Sequence, residues 1–232
     1  TMAGYSVMIK EISNQTKQYI THVFLQAGVG GMAAGIISGI AKYFKRIPKI
    51  IVIEPENANC VMKSIKFGSL KKANIQKQSI MGGMSCAEVS LVPWRILKNA
   101  VNNCVSVSDK YVPQTLTMLA KKKFSKEKII AGECSTPGVI SVISCCNDPL
   151  VKRKLEINEK SNILIIGCEG DTDKNLYNKL YKIGNQKLKK YIFKFLIQDK
   201  KYWLVKTKFR LPFNLILLYV HLKVKLIIRM LK

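Results

Sequence analysis

The sequence is poor in acidic residues, arginine and histidine. Its 232 residues include 39 Lys+Arg against 14 Asp+Glu and only 2 His, which gives a formal net charge of +25. Such a charge is typical of proteins that bind nucleic acid or an anionic membrane. Only five of the basic residues are arginine, however, and arginine makes most of the specific contacts to phosphates and bases. We therefore attribute the charge to a lysine-rich composition and expect no nucleic-acid partner.

Clustered metal ligands, a long apolar run and a signal peptide are also missing. The seven cysteines form no Cys-x-x-Cys pair, and His22 and His221 lie far apart in the sequence, so we expect no metal site. The uncharged stretch at 211–222 is shorter than the roughly 20 apolar residues that cross a bilayer. Residues 1–10 have no apolar core of the signal-peptide kind. We expect a reducing, cytoplasmic setting in which the thiols stay free.

The C-terminal region differs in composition from the rest of the chain. Residues 187–232 hold 13 basic residues, one acidic residue and 8 of the 19 aromatic residues, and no glycine follows Gly184. Basic residues interleaved with aromatic ones can contact an anionic membrane surface. The apolar positions here keep neither a helical nor a strand period for long, which favours a segment foreign to the fold, such as a shifted reading frame. The sequence thus predicts an enzyme-like region, 1–186, and an atypical basic tail, 187–232.

Region 1–186 alternates short apolar runs with amphipathic stretches, the order that is typical of an α/β domain. Apolar runs at 22–26, 49–54 and 162–167 predict strands, and the last is continuous enough for a parallel sheet covered on both faces. The predicted helices span residues 32–44, 57–66, 92–102, 110–122, 137–146 and 173–183. We predict an α/β fold with a parallel sheet and flanking helices.

A glycine-rich loop joins the first predicted strand to the helix after it. It consists of Gly28, Val29, Gly30, Gly31 and Met32. The free N–H groups and the positive dipole end of a helix start attract an anion, and small residues let a phosphate approach the main chain. A tight turn that serves close packing alone is the structural alternative. We predict that this loop holds a phosphate group.

Two cofactor classes use such a loop. The spacing Gly28-x-Gly30-x-x-Ala33 fits the dinucleotide-binding fingerprint, and Glu54 ends the next strand, where a ribose-binding carboxylate would lie. Pyridoxal 5′-phosphate is the other class, because a glycine loop at a helix N-terminus holds its phosphate in tryptophan-synthase-like folds. One glycine fingerprint does not decide between the two.

Further motifs in the same order favour the second class. With their sequences, they are 21–33 (THVFLQAGVGGMA), 51–55 (IVIEP), 81–88 (MGGMSCAE), 94–97 (WRIL), 130–135 (IAGECS) and 166–173 (IGCEGDTD). This series resembles the successive motifs of diaminopropionate ammonia-lyase, a family of fold type II pyridoxal-phosphate enzymes. The resemblance covers about residues 2–186. It implies an incomplete tryptophan-synthase-beta-like fold and pyridoxal 5′-phosphate as the cofactor.

The resemblance also implies roles for individual residues. The loop from Gly28 to Met32 matches the phosphate loop of the family, and Cys168 matches the Ser/Thr/Cys position that faces the pyridine nitrogen. A neutral thiol there leaves the nitrogen unprotonated, which suits an elimination. Glu133 lies in a segment similar to Gly-Glu-Ser-Gly of the family and would shape the cofactor pocket. An inert buried Cys168 and a solvated Glu133 are the structural alternatives.

The sequence lacks the catalytic residues that the resemblance leads one to expect. In the family, the Schiff-base lysine lies in a Ser-x-Phe-Lys segment upstream of the glycine loop, as do the acidic residues that act as bases. The chain has no such segment, and Lys10 fits the surface of an amphipathic helix. Covalent catalysis of this type needs both groups. We therefore expect no catalytic residue here and an inactive isolated chain.

The resemblance implies a reaction for the intact family. That reaction is the elimination of ammonia from 2,3-diaminopropionate to give pyruvate, carried out by a homodimer. A non-enzymatic basic protein that binds a membrane surface or nucleic acid through residues 187–232 is the alternative from another class.

Overall fold

The computed structural model describes residues 2–16, 18–197, 214–221 and 225–230, with side chains up to residue 188. The helices are α1 (Met2–Gln15), α2 (Gly31–Tyr43), α3 (Cys60–Phe67), α4 (Leu91–Ala100), α5 (Val112–Ala120), α6 (Pro137–Asn147), α7 (Pro149–Lys154) and α8 (Lys174–Ile197). The strands are β1 (His22–Gln26), β2 (Lys49–Pro55), β3 (Asn103–Val107), β4 (Asn162–Gly167), β5 (Asn214–His221) and β6 (Lys225–Met230). The predicted α/β class is confirmed.

The strands form one sheet in the order β3-β2-β1-β4-β5-β6. All neighbouring pairs are parallel except β5 and β6, which are antiparallel. In this order β1 lies between β2 and β4, so its end is flanked by the ends of both neighbours. Ligands of open parallel sheets bind at this carboxyl edge.

The central strands bury both of their faces. On β1, Val23 and Leu25 pack in a core with α1, α2 and α4, whereas Phe24 packs in a second core with α5, α6 and α8. Successive strand residues point to opposite faces, so helices on both sides explain the nearly continuous apolar runs. This double coverage fixes the ends of β1 and β4, where the predicted site residues lie.

Most of the predicted elements are present, but three strands and the short helix α7 were missed. Of these strands, β3 lies in region 1–186, and β5 and β6 lie beyond it. A helix was predicted over 92–102, but α4 ends at Ala100 and β3 begins at Asn103. The strand β3 pairs with β2 alone, and four of its five residues are only partly buried. A half-buried edge strand of mixed polarity lacks the apolar run that predicts a buried one.

The backbone of α8 crosses residue 186 without a break and continues to Ile197. Beyond it, β5 pairs with β4 and β6 pairs with β5. The division of the chain at 186 and the foreign origin of 187–232 stay predictions, and much of the tail lies outside the described residues. Within the described part of the chain, no helix has the length and apolar character needed to cross a bilayer.

Candidate cofactor-binding site

The glycine loop follows β1 directly and leads into α2. Gly30 precedes the helix with φ of 89°, a left-handed backbone that favours glycine. A Cβ atom on Gly30 would lie 2.7 Å from Leu97 Cδ1, and one on Gly28 would lie 2.7 Å from the carbonyl oxygen of Gly83. These two glycines therefore have a packing role, which is the alternative that the sequence left open.

The start of α2 leaves backbone donors free. Among the described residues, no hydrogen-bond acceptor serves the backbone N–H groups of Gly31, Met32 and Ala33, and the first such bond runs from Ala34 N to Gly30 O. The first turn of α2 has no acidic side chain, and a Cβ on Gly31 would meet nothing within 4 Å. Unpartnered N–H groups at the positive end of a helix can bind an anion. The loop thus combines close packing at Gly28 and Gly30 with open space at Gly31, and the phosphate there stays a prediction.

Cys168 follows β4, the neighbour of β1. Its Sγ lies 3.4 Å from the carbonyl oxygen of Cys134 and 3.7 Å from Ser135 Oγ. Burial raises the pKa of the Cys168 thiol to about 11. The thiol is therefore neutral at pH 7, as the predicted role at a pyridine nitrogen requires.

Gln26, the last residue of β1, links the two strand ends. Its Nε2 donates to the carbonyl oxygens of Ile166 at 2.6 Å and Cys134 at 3.2 Å, and lies 3.8 Å from Cys168 Sγ. The Oε1 atom of the same buried side chain has no partner among the described residues. Sequence analysis did not identify Gln26, because its partners lie more than 100 residues away along the chain.

The segment before α6 is tied to the end of β4. Ser135 Oγ donates to the carbonyl oxygen of Glu169 at 2.8 Å and accepts from the Glu169 N–H at 2.7 Å. The backbone N–H of Cys134 donates to Glu169 Oε1 at 2.6 Å. Neither Ser135 nor Thr136 bonds the start of α6 through its side chain, and Thr136 Oγ1 donates to the Glu133 carbonyl oxygen instead. Ser135 therefore fixes the position of the residue after Cys168.

Glu133 is half-buried beside two other ionisable groups. Burial raises the pKa of the Glu133 carboxyl, and the carboxylates of Glu169 and Asp173 raise it further. Ligand atoms of Glu133, Cys134 and Glu169 lie within 4.8 Å of one another. Glu133 therefore lies beside Glu169, the residue after Cys168, and is not a fully solvated loop residue. Its contact with a cofactor stays a prediction.

Glu54 is not available as the ribose ligand that the dinucleotide alternative requires. Its side chain is fully buried, and its two carboxylate oxygens accept backbone hydrogen bonds at 2.7 Å, one from Val61 and one from Met62. Both donors lie in the first turn of α3, whose free N–H groups Glu54 satisfies. The carboxylate at this strand end therefore has a structural role.

Comparison with known proteins supports pyridoxal phosphate over a dinucleotide as the cofactor class. Residues 1–169 match the family described as pyridoxal-phosphate dependent enzyme. The chain belongs to the pyridoxal-phosphate-dependent enzymes.

The chain is similar to individual enzymes of this family. The chain is 29% identical over 186 residues to diaminopropionate ammonia-lyase of Escherichia coli K12, a match that covers 77% of this chain and 47% of that enzyme. It is 32% identical over 181 residues to the biosynthetic L-threonine dehydratase of Staphylococcus epidermidis, covering 75% of this chain and 39% of that enzyme. The crystal structure of holo diaminopropionate ammonia-lyase from Escherichia coli superposes with a TM-score of 0.67 at 29% identity, over 77% of this chain and 46% of the other. The chain spans about half the length of the relatives it matches. The structural similarity confirms the predicted fold type II sheet.

The residues present fit the cofactor of the pyridoxal-phosphate-dependent enzymes. The free N–H groups at the start of α2 provide the phosphate position, and the neutral Cys168 thiol lies at the end of the adjacent strand. The unpartnered Oε1 of Gln26 adds a buried acceptor. The assignment of Gly28, Val29, Gly30, Gly31, Met32, Glu133 and Cys168 as cofactor contacts stays a prediction at the level of single residues.

Proposed function

We propose that this chain forms the phosphate-binding and pyridine-nitrogen side of an ammonia-lyase that acts on 2,3-diaminopropionate. The observation that carries the proposal is the presence of free N–H groups at the start of α2 and of a neutral thiol at Cys168, on the ends of two adjacent strands. The similarity to diaminopropionate ammonia-lyase supports the substrate.

Each side of the site has its own task. Backbone donors of Gly31 and Met32 bind the phosphate, and the dipole of α2 stabilises its charge. The neutral Cys168 thiol would lie at the pyridine nitrogen and would not protonate it. Bound pyridoxal phosphate supplies an electron sink for the negative charge that forms when the substrate loses its α-proton. The protein side therefore selects the orientation and the protonation state of the ring.

The elimination also needs a lysine that binds the cofactor covalently and a base for the α-proton. The 232 residues contain no Ser-x-Phe-Lys segment. We propose that residues outside this sequence supply both groups, so that the 232-residue chain alone has negligible lyase activity. A homodimer and a cytoplasmic location remain predictions, the latter supported by seven free cysteines.

Two assays test the proposal. The first measures pyruvate release from 2,3-diaminopropionate by the purified chain with added pyridoxal phosphate, and we expect none above the rate without protein. The second measures binding of pyridoxine 5′-phosphate by equilibrium dialysis, with NADH as the comparison. Pyridoxine 5′-phosphate carries an alcohol in place of the aldehyde, so it does not react with the many lysines. Robust pyruvate release, or binding of NADH without binding of pyridoxine 5′-phosphate, would contradict the proposal.

A further inference from the structure

Gln26 is an uncharged polar residue in a position where polar groups are costly. It is 2% exposed and ends a strand that is otherwise packed among apolar side chains. Burying an amide without hydrogen bonds costs free energy, so such a residue persists where its bonds have a structural or binding use. The partners of Gln26 indicate which use applies.

The amide nitrogen of Gln26 contacts the two segments that carry the pyridine side of the site. One hydrogen goes to Ile166, inside β4, and the other to Cys134, in the segment before α6. Cys134 O also accepts from the Cys168 thiol at 3.4 Å. The Gln26 amide and the Cys168 thiol therefore share one acceptor, and a shift of either moves the other.

The other end of Gln26 is joined covalently to the phosphate side. Only Ala27 separates it from Gly28, and the Ala27 N–H donates to the carbonyl oxygen of Ile53 at 2.9 Å. Gly28 in turn has no room to move toward Gly83, because of their close approach. The backbone of Gln26 thus fixes the start of the glycine loop, while its side chain fixes the surroundings of Cys168.

We propose that Gln26 is a positioning residue that sets the separation between the phosphate loop and the Cys168 thiol. This inference rests on the proposed function. A bound cofactor that contacts the helix start with its phosphate and Cys168 with its ring nitrogen must match that separation. A ligand that contacts the loop alone is insensitive to it.

The test compares two ligands on the full chain by ³¹P NMR titration. Inorganic phosphate reports the loop alone, and pyridoxine 5′-phosphate reports the loop and the ring side together. Gln26→Met keeps the side-chain length and removes both donors. Gln18→Met is the matched control, because Gln18 lies before the opposite end of β1 and its Oε1 is also buried with no partner in the described part of the chain. Circular dichroism and thermal unfolding show whether each variant folds.

We expect Gln26→Met to weaken pyridoxine 5′-phosphate binding by about tenfold or more, while phosphate affinity stays within about twofold of the unmodified chain. Gln18→Met should change neither affinity. An equal loss of both ligands in a folded Gln26→Met protein, or no loss of either, would overturn the positioning role. If that variant does not fold, Gln26→Asn, which keeps the amide on a shorter side chain, gives the same comparison.

The outcome also separates this inference from the proposed function. If the unmodified chain binds no pyridoxine 5′-phosphate, the proposed function fails. If it binds both ligands and the ratio of affinities is the same in Gln26→Met, only the role of Gln26 fails.

Discussion

The carboxylate of Glu54 accepts a hydrogen bond from the backbone N–H of Val61 at 2.7 Å, and this contact explains why α3 begins at Cys60. A second bond, from Met62, occupies the other oxygen. From sequence, the helix was expected three residues earlier and the carboxylate was a candidate ribose ligand. The side chain that ends β2 instead anchors the next helix.

Glu54→Gln should destabilise the protein, because an amide offers one acceptor where the carboxylate offers two. The NH₂ group then faces a backbone N–H, and we expect a loss of about 1.5–3 kcal/mol in the free energy of unfolding. Urea unfolding measures this loss, with Glu11→Gln as the control, because Glu11 is exposed and its side chain bonds no other described residue. The folded fraction of the Glu54→Gln chain should bind pyridoxine 5′-phosphate with unchanged affinity. A Glu54→Gln chain as stable as the original would contradict the capping role.

The stability should also depend on pH through His22. Its Nε2 donates to the carbonyl oxygen of Leu155 at 2.9 Å, and burial lowers its pKa below the usual 6.5, an effect to which nearby Lys49 adds. Because the folded state disfavours the charged ring, the stability that neutral His22 contributes is present above pH 6.5 and is lost as pH falls below it. His22→Gln keeps a donor without a titrating group. Thermal unfolding between pH 7.5 and 5.5 should therefore show a smaller loss of stability in His22→Gln, and parallel curves for both proteins would refute this.

Two adjacent glycines should respond differently to alanine. Gly30→Ala places a Cβ on a left-handed backbone and 2.7 Å from Leu97 Cδ1. We expect a loss of about 1–3 kcal/mol in the free energy of unfolding from strain and crowding. Gly31→Ala meets open space in the first turn of a helix and should leave stability unchanged or slightly raised. Urea unfolding of the pair tests the loop geometry, which would be wrong if Gly31→Ala were the more damaging change.

The Cys168 thiol should react slowly with iodoacetamide. The thiolate is the nucleophile, and a rise in pKa from 9.0 to about 11 lowers its population at pH 7.5 by about a hundredfold. Mass spectrometry after timed alkylation follows the Cys168 peptide, and Cys168→Ser confirms the assignment of that peptide. Labelling of Cys168 in the native chain as fast as in the urea-unfolded chain would show that the thiol is neither buried nor raised in pKa.

The parts of the site that the sequence predicts are those carried by local pattern. The loop from Gly28 to Met32 lies between a run of apolar residues and an amphipathic stretch, so its position at a helix start follows from neighbours in the chain. The bond from Gln26 to Ile166 joins residues 140 positions apart, and no local pattern reports it. The structural role of Glu54 was missed, because its donors Val61 and Met62 are identifiable only when the start of α3 is known. Long-range hydrogen bonds thus mark the limit of prediction from one sequence.

A pair of charge-matched variants tests whether the start of α2 binds the phosphate of pyridoxal phosphate. Gly31→Asp places a carboxylate in open space at the first turn of α2, where it favours the helix and repels a phosphate. Gly4→Asp is the control. It places a carboxylate in the first turn of α1, where a Cβ atom also meets nothing within 4 Å and no phosphate is expected.

The measurement is the dissociation constant of pyridoxine 5′-phosphate for the unmodified chain and both variants. We predict that Gly31→Asp weakens binding by about tenfold or more, whereas Gly4→Asp stays within about twofold of the unmodified chain. Equal affinities for the two aspartate variants would place the phosphate elsewhere and contradict the account.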